Sequence, residues 1–276
     1  MQNSRILNSS AGVNINAKVN ALMSSARSDS SHTLQTQIHP SVNFKYNSVN
    51  LFIGKRGSGK TYDVFREILK LLYVKNHGYS QFVYVTDKAT DKTFDDIKHM
   101  LPVPYDKVKY DNAIEYLRKI HMSKDDLAWL IEEGITDANE LTDDSRAEIL
   151  GTLKLSEIQP IVHTLVLFDD CIEIFAKRSK ENKELFRMMF ENRQPKITYF
   201  LALQDPIGIN TQIKQNIDSL WFFGGFNRMK FSQMFQQISV DVEKEDLWNA
   251  YLRLSKRNAL IFSFNDTGTR VQILNN

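Results

Sequence analysis

Between Gly54 and Thr61 the chain reads Gly-Lys-Arg-Gly-Ser-Gly-Lys-Thr, a full match to G-x-x-x-x-G-K-[ST]. Glycines at these positions let a loop wrap until its backbone N–H groups point at phosphate oxygens. The motif also fixes its surroundings. A buried strand must lead into it, and a helix must leave it with the positive N-terminus turned to the same anion. The sequence supplies both. An apolar run covers 48–53, and Val64, Ile68, Leu71 and Leu72 follow at helical spacing. We therefore expect Gly54, Lys55, Arg56, Gly57, Ser58, Gly59, Lys60 and Thr61 to hold a nucleoside triphosphate, ATP with Mg²⁺. Lys60 would reach the β- and γ-phosphates, and the Thr61 hydroxyl would ligate the metal.

The rest of the chain carries the matching pattern. Strands are expected at 81–86, 163–168, 197–203 and 219–223, and a terminal hairpin at 259–264 and 270–274. Helical stretches alternate with them at 61–74, 91–100, 180–191, 229–238 and 244–254, with a short helix or turn at 207–216. Such alternation argues for an α/β fold, a mostly parallel sheet with helices on both faces. Residues 106–160 are charge-rich and mostly helical, including 113–120 and 124–153, and read as a helical insertion before the next core strand. Residues 1–41 are rich in Ser, Asn, Thr and Gln and hold no aromatic residue; the first is Phe44. A segment like this buries too little apolar surface to offset its ordering entropy, so we expect a disordered N-terminal arm before an ATPase domain over 42–276. No internal repeat is visible.

Composition narrows the function classes. With 276 residues, 42% of them hydrophobic, the chain can bury one substantial core and a small appended unit. Its formal net charge of +2 is far from that of a protein that coats DNA passively. A motor that grips DNA with a few loops needs only a local positive surface. Cys171 is the single cysteine, which forbids an intramolecular disulfide, cannot build a zinc site alone, and suits a reducing, intracellular compartment. No apolar run approaches the roughly 20 residues that span a bilayer, so no membrane partner is expected. No continuous apolar region follows Arg5, so no secretory signal is expected either.

Four further positions point to chemistry. The run His163-Thr-Leu-Val-Leu-Phe-Asp169-Asp170 is a buried strand ending in two carboxylates, as a Walker B element requires. Asp169 would hold Mg²⁺ through a water, and Asp170 would polarise the attacking water. The alternative is that the pair caps the next helix. Gln204 ends the strand at 197–203, where an amide can donate to a phosphate oxygen and accept from water; any polar residue leaving a strand is the plainer reading. Arg193, in Glu191-Asn-Arg-Gln-Pro195, could stabilise charge in a neighbouring subunit's site, or simply pair with Glu191 or solvent. Two basic groups, Lys177, Arg178, Lys180 and Lys183, then Arg253, Lys256 and Arg257, read either as DNA-phosphate contacts or as solvated helix faces.

Taken together, the Walker A at Gly54 to Thr61, the Leu-Val-Leu-Phe-Asp-Asp strand, Asn192-Arg193 and the Ile-Thr-Tyr-Phe-Leu-Ala-Leu-Gln204 strand resemble the genome-packaging ATPases of large double-stranded DNA viruses and virophages, in the FtsK/HerA branch of P-loop ATPases. The resemblance covers roughly residues 45–225. It implies a RecA/FtsK-like P-loop NTPase fold, ATP hydrolysis coupled to translocation of double-stranded DNA, and a homo-oligomeric ring, often a hexamer. It also implies capsid proteins as partners, a host-cytoplasm or viral-factory location with virion association open, and Arg193 as an arginine finger. Two positions depart from the pattern. Asp170 stands where the wider branch often has Glu, and Gln194 where viral relatives often have His.

Two other classes stay open. A GTPase should carry an Asn-Lys-x-Asp base reader after Walker B; the only similar stretch, Thr86-Asp-Lys-Ala, precedes it. A small-molecule kinase should show an Arg-rich lid. A non-enzymatic assembly or scaffold protein would bind ATP without turning it over.

Overall fold

Val49, Leu51 and Ile53 face one side of strand β1 (Val49–Ile53), Asn50 and Phe52 face the other, and all five are buried. Burial on both faces marks the interior of a covered sheet. The computed structural model describes residues 44–74, 79–132, 163–176, 180–192, 196–207, 209–240, 242–265 and 268–274. The expected arm at 1–41, residues 133–162 of the expected insertion, Lys177, Arg178 and Arg193 lie outside them.

After β1 come α1 (Lys60–Val74), β2 (Tyr79–Val85), α2 (Lys92–Ile97) with a 3₁₀ turn at Lys98–Met100, β3 (Tyr105–Val108) and α3 (Tyr110–Glu132). Then follow β4 (His163–Asp169), α4 (Ile172–Ala176), α5 (Lys180–Phe190), β5 (Ile197–Leu203), α6 (Thr211–Gln215) and β6 (Ser219–Phe223). The chain closes with α7 (Arg228–Phe235), α8 (Lys244–Leu252), β7 (Ala259–Asn265) and β8 (Gly268–Leu274).

These strands form one eight-stranded sheet in the order β3-β2-β4-β5-β1-β6-β7-β8. Strands β1 to β6 run parallel, and β7 and β8 add an antiparallel hairpin at one side. The alternation seen in β1 divides the core in two. Phe52, Phe82, Tyr84, Leu165 and Phe200 meet Val64, Phe65, Ile68 and Leu72 of α1 and Phe94 of α2. On the opposite face Leu51, Val83, Val166 and Leu201 meet Leu117 of α3, Leu185 and Met189 of α5, and Phe231 and Phe235 of α7. Helices thus cover both faces, as the alternating pattern predicts.

Two elements differ from the sequence reading. Tyr105–Val108 is a parallel edge strand, pairing Phe82 with Tyr105 and Val85 with Val108, where we expected the start of the insertion. Only Val108 of its four residues is buried, so no apolar alternation announces it. Backbone pairing carries it instead, beginning with Phe82 N–H donating to Pro104 O at 2.9 Å. Helix α3 is one continuous 23-residue helix rather than two stretches, and Ala113 and Leu117 bury one side of its first half.

Candidate active site

Gly54 leaves β1 and donates its N–H to Leu203 O at 3.1 Å, which ties the start of the loop to the neighbouring strand. A Cβ here would meet Ser58 Oγ at 2.4 Å and Phe223 Cβ at 3.0 Å, so only glycine lets the loop fold back so tightly. Gly57, with φ +78°, takes the left-handed turn that brings the chain round. Ser58 N–H then closes on Lys55 O at 3.0 Å, and Asp63 N–H on Gly59 O at 3.0 Å starts α1.

Lys60, the first residue of α1, is buried, with Nζ 3.6 Å from Asp169 Oδ1. Burial pushes its pKa down; the charges of Asp169 and Asp170 only partly offset that. The Thr61 hydroxyl donates to the same Asp169 oxygen at 3.3 Å. Asp169 ends β4 with its side chain wholly shielded from solvent. Its other oxygen, Oδ2, accepts from Lys88 Nζ at 2.6 Å and lies 3.2 Å from the Tyr84 hydroxyl, which also contacts Asp91. Burial and then the charge of Asp169 raise the Tyr84 pKa, so it stays protonated. Desolvation works against the Lys88 charge, but Asp169, Asp91 and Asp170 together outweigh it and the pKa is raised.

Asp170 adopts φ +65°, a left-handed backbone that only short polar side chains tolerate well. Its N–H donates to Ala202 O at 2.9 Å, and its Oδ2 accepts from Gln204 Nε2 at 2.5 Å. Both carboxylates therefore point into the site. Among the described residues the partners of the two carboxylates are Lys60, Thr61, Tyr84, Lys88 and Gln204 rather than an N–H of α4, which speaks against the helix-capping reading of the pair.

The P-loop, Asp169, Asp170 and Gln204 thus gather at the carboxyl ends of β1, β4 and β5, where open α/β sheets bind ligands. Asn192 does not join them. Its side chain donates to Asn47 O at 2.8 Å, and its carbonyl accepts from Ile197 N–H at 3.0 Å, at the amino end of β5. Lys183 is exposed on α5.

Sequence reasoning missed Tyr84, Lys88 and Asp91. Thr86-Asp-Lys-Ala was weighed only as a base reader. Its place beside Asp169 follows from β2 being the neighbour of β4, and strand order is not written in a single sequence. The charge on Lys88 competes for the carboxylate that would serve a metal. Lys88→Met is expected to lower the Mg²⁺ concentration that half-saturates nucleotide-dependent thermal stabilisation by about 3-fold, a modest effect because Lys88 is partly exposed. A Mg²⁺ titration followed by melting temperature reads this directly.

The donor set fits Mg²⁺. The Thr61 hydroxyl and an Asp169 carboxylate oxygen converge at the start of α1. Mg²⁺ sites of this kind use one or two protein oxygens and take the rest from phosphates and water.

No family model matches the sequence, and no curated protein matches it. Solved structures do. The genome packaging NTPase of Sulfolobus turreted icosahedral virus 2, in complex with AMPPCP, superposes with a TM-score of 0.52 at 14% identity, over 83% of this chain and 97% of that one. The DNA-packaging ATPase of Sulfolobus turreted icosahedral virus gives a TM-score of 0.55 at 12% identity, over 84% and 98%. The chain shares the fold of these two packaging ATPases. The same fold is shared with EssC (ATPases 2 and 3) of Geobacillus thermodenitrificans, at a TM-score of 0.53 and 13% identity, over 83% of this chain and 39% of that one. This is the α/β P-loop architecture that the motif set implied. Among the described residues no helix is long and apolar enough to cross a membrane.

Proposed function

We propose that this chain is a Mg²⁺-dependent ATPase that works as a homo-oligomeric ring and drives double-stranded DNA, a viral genome, into a capsid. The observation that carries the reading is the meeting of the P-loop, Asp169 and the Asp170–Gln204 pair at the ends of three adjacent strands. The P-loop amides and Lys60 hold the phosphates. Mg²⁺, held by Thr61 and through water by Asp169, would neutralise charge on the β- and γ-oxygens. Asp170 accepts a proton from the attacking water, and Gln204 fixes that carboxylate while facing the terminal phosphate. The left-handed Asp170 supports this role, because strained backbone is kept where a side chain must be aimed.

Arg193 acts, in this reading, on a neighbouring copy. Its covalent neighbour Asn192 lies at the amino end of β5, and the seven-residue strand separates it from Gln204 by roughly 20 Å. That separation favours a ring in which one subunit completes the next. Such a ring would operate inside the infected cell, with duplex DNA and capsid proteins as partners.

Steady-state ATP hydrolysis with and without double-stranded DNA tests the proposal. DNA is expected to raise turnover, and the stimulation should weaken steeply with salt, because phosphate contacts release counterions. Turnover indifferent to DNA would remove the motor and leave a P-loop enzyme or kinase acting on another substrate. ATP binding with no turnover, with or without DNA, would leave the scaffold reading.

A further inference from the structure

Arg253, Lys256 and Arg257 stand in the sequence as a basic group near the carboxyl end, suited to DNA phosphates or to solvent. The structure separates Lys256 from that group. Its ammonium lies beside the P-loop: a Cβ added to Gly57 would be 3.4 Å from Lys256 Nζ. Its stem lies along the turn after β6, where a Cβ on Gly225 would be 3.7 Å from Lys256 Cγ.

The segment that carries Lys256 is fixed. Gly224 N–H donates to Asn258 O at 2.9 Å, and Asn258 N–H donates to Ser255 O at 3.1 Å. The two turns are so close that a Cβ on Gly224 would lie 2.3 Å from Ser255 O. Buried Tyr251, at the end of α8, locks the approach from below. Its hydroxyl donates to Phe223 O at 2.8 Å and accepts from Phe226 N–H at 2.8 Å. Lys256 is thus a flexible cation on a rigid mount.

Charge around the loop gives a second, independent observation. Lys55, Arg56 and Lys256 are exposed, and among the described residues none of the three forms an ion pair with a carboxylate. Lys55 rests over the Phe226 ring, 5.5 Å from its centre. Three uncompensated cations around one loop repel one another, and an anion at the loop relieves that repulsion. The carboxylates of the site, Asp169 and Asp170, lie on the other flank. Strands β5 and β4 stand on one side of β1, and β6 and β7 on the other.

We propose that Lys256 is a phosphate-binding residue of the nucleotide site, closing the P-loop from the β6–β7 flank. The inference rests on the reading of the P-loop as a nucleotide site and adds a residue that the motif does not contain. Its ligand is the polyphosphate tail of a nucleoside di- or triphosphate. Because Lys256 approaches from the flank away from Asp169, it meets the part of the tail common to ADP and ATP. It does not discriminate between them.

The test is equilibrium binding of ADP and of a non-hydrolysable ATP analogue to the full chain in EDTA, so that no metal contributes. Lys256→Ala is expected to weaken both ligands about 10-fold and by similar factors, as for loss of one charge-assisted contact. Lys256→Arg should stay within about 3-fold of wild type, since it keeps the charge. Equal affinity of Lys256→Ala and wild type would overturn the inference. If that variant instead lost double-stranded DNA binding in the same buffer, Lys256 would return to the DNA-contact group. Wild-type protein that bound neither ligand would sink the nucleotide reading itself, and this inference with it.

Discussion

Lys60→Ala is expected to cut turnover steeply and to leave the nucleotide-free protein as stable as wild type, or more so. The two halves come from one fact. Lys60 is buried, and burial lowers its pKa, so the folded protein holds this ammonium at a cost that the unfolded chain avoids. Removing it removes that cost. Asp169 keeps Thr61, Lys88 and Tyr84 as partners. With nucleotide the sign reverses. Wild type at about 100 times Kd should gain roughly 2.7 kcal/mol, a rise of about 5–10 °C in melting temperature for a chain of this size. Lys60→Ala should show little of that rise, and its turnover should fall by ~10²–10³-fold, the usual loss for one preorganised donor at a developing charge. Melting curves with and without ATP, beside phosphate release, measure both. A variant that melts far below wild type without nucleotide would show that Lys60 is structural, and the argument from its desolvation would fail.

Asp169→Asn is expected to do the reverse, destabilising the protein before any ligand is added. This carboxylate is shielded from solvent and balances Lys60 and Lys88 while accepting from Thr61 and Tyr84. Asparagine keeps the shape but loses the charge, and turns one acceptor oxygen into a donor facing donors. Breaking a buried pair costs ~3–5 kcal/mol. The lower end applies here, because Lys88 is more than a third exposed and water can take up part of its charge. A fall of about 6–12 °C in melting temperature follows. Adding Lys88→Met should recover part of it, since the second change removes a cation left without its partner. Additive losses in the double variant would mean that the two residues do not interact. Turnover should be lost in Asp169→Asn at every Mg²⁺ concentration.

The sequence exposed what periodicity and motif can encode. Gly54 to Thr61 declared a loop between a strand and a helix, and the central strands β1, β4, β5 and β6 announced themselves as apolar runs. Asp169, Asp170 and Gln204 were legible because each ends such a run. What stayed hidden depends on which strands are neighbours. Lys88 reaches Asp169 only because β2 pairs with β4, and Lys256 reaches Gly57 only because the β6 and β7 turns pack together. Neither proximity leaves a mark on local pattern. Strand β3 was missed for a different reason: three of its four side chains are exposed, and what holds it is backbone pairing with β2 and contacts such as Tyr105 on Phe94, which leave no local pattern.

Strand β5 links the Asp170–Gln204 pair at one end of the sheet to Asn192 at the other. It pairs with β4 over Ile197 to Ala202 on one edge and with β1 over Tyr199 to Leu203 on the other. A strand held on both edges resists bending and moves as a stiff rod. Gln204, at one tip, grips Asp170, and Asn192, through Ile197, is fastened to the other. The carboxylate pair and the Asn192 end are thus tied to one stiff element, and neither end of it can shift without straining the ladders that flank it.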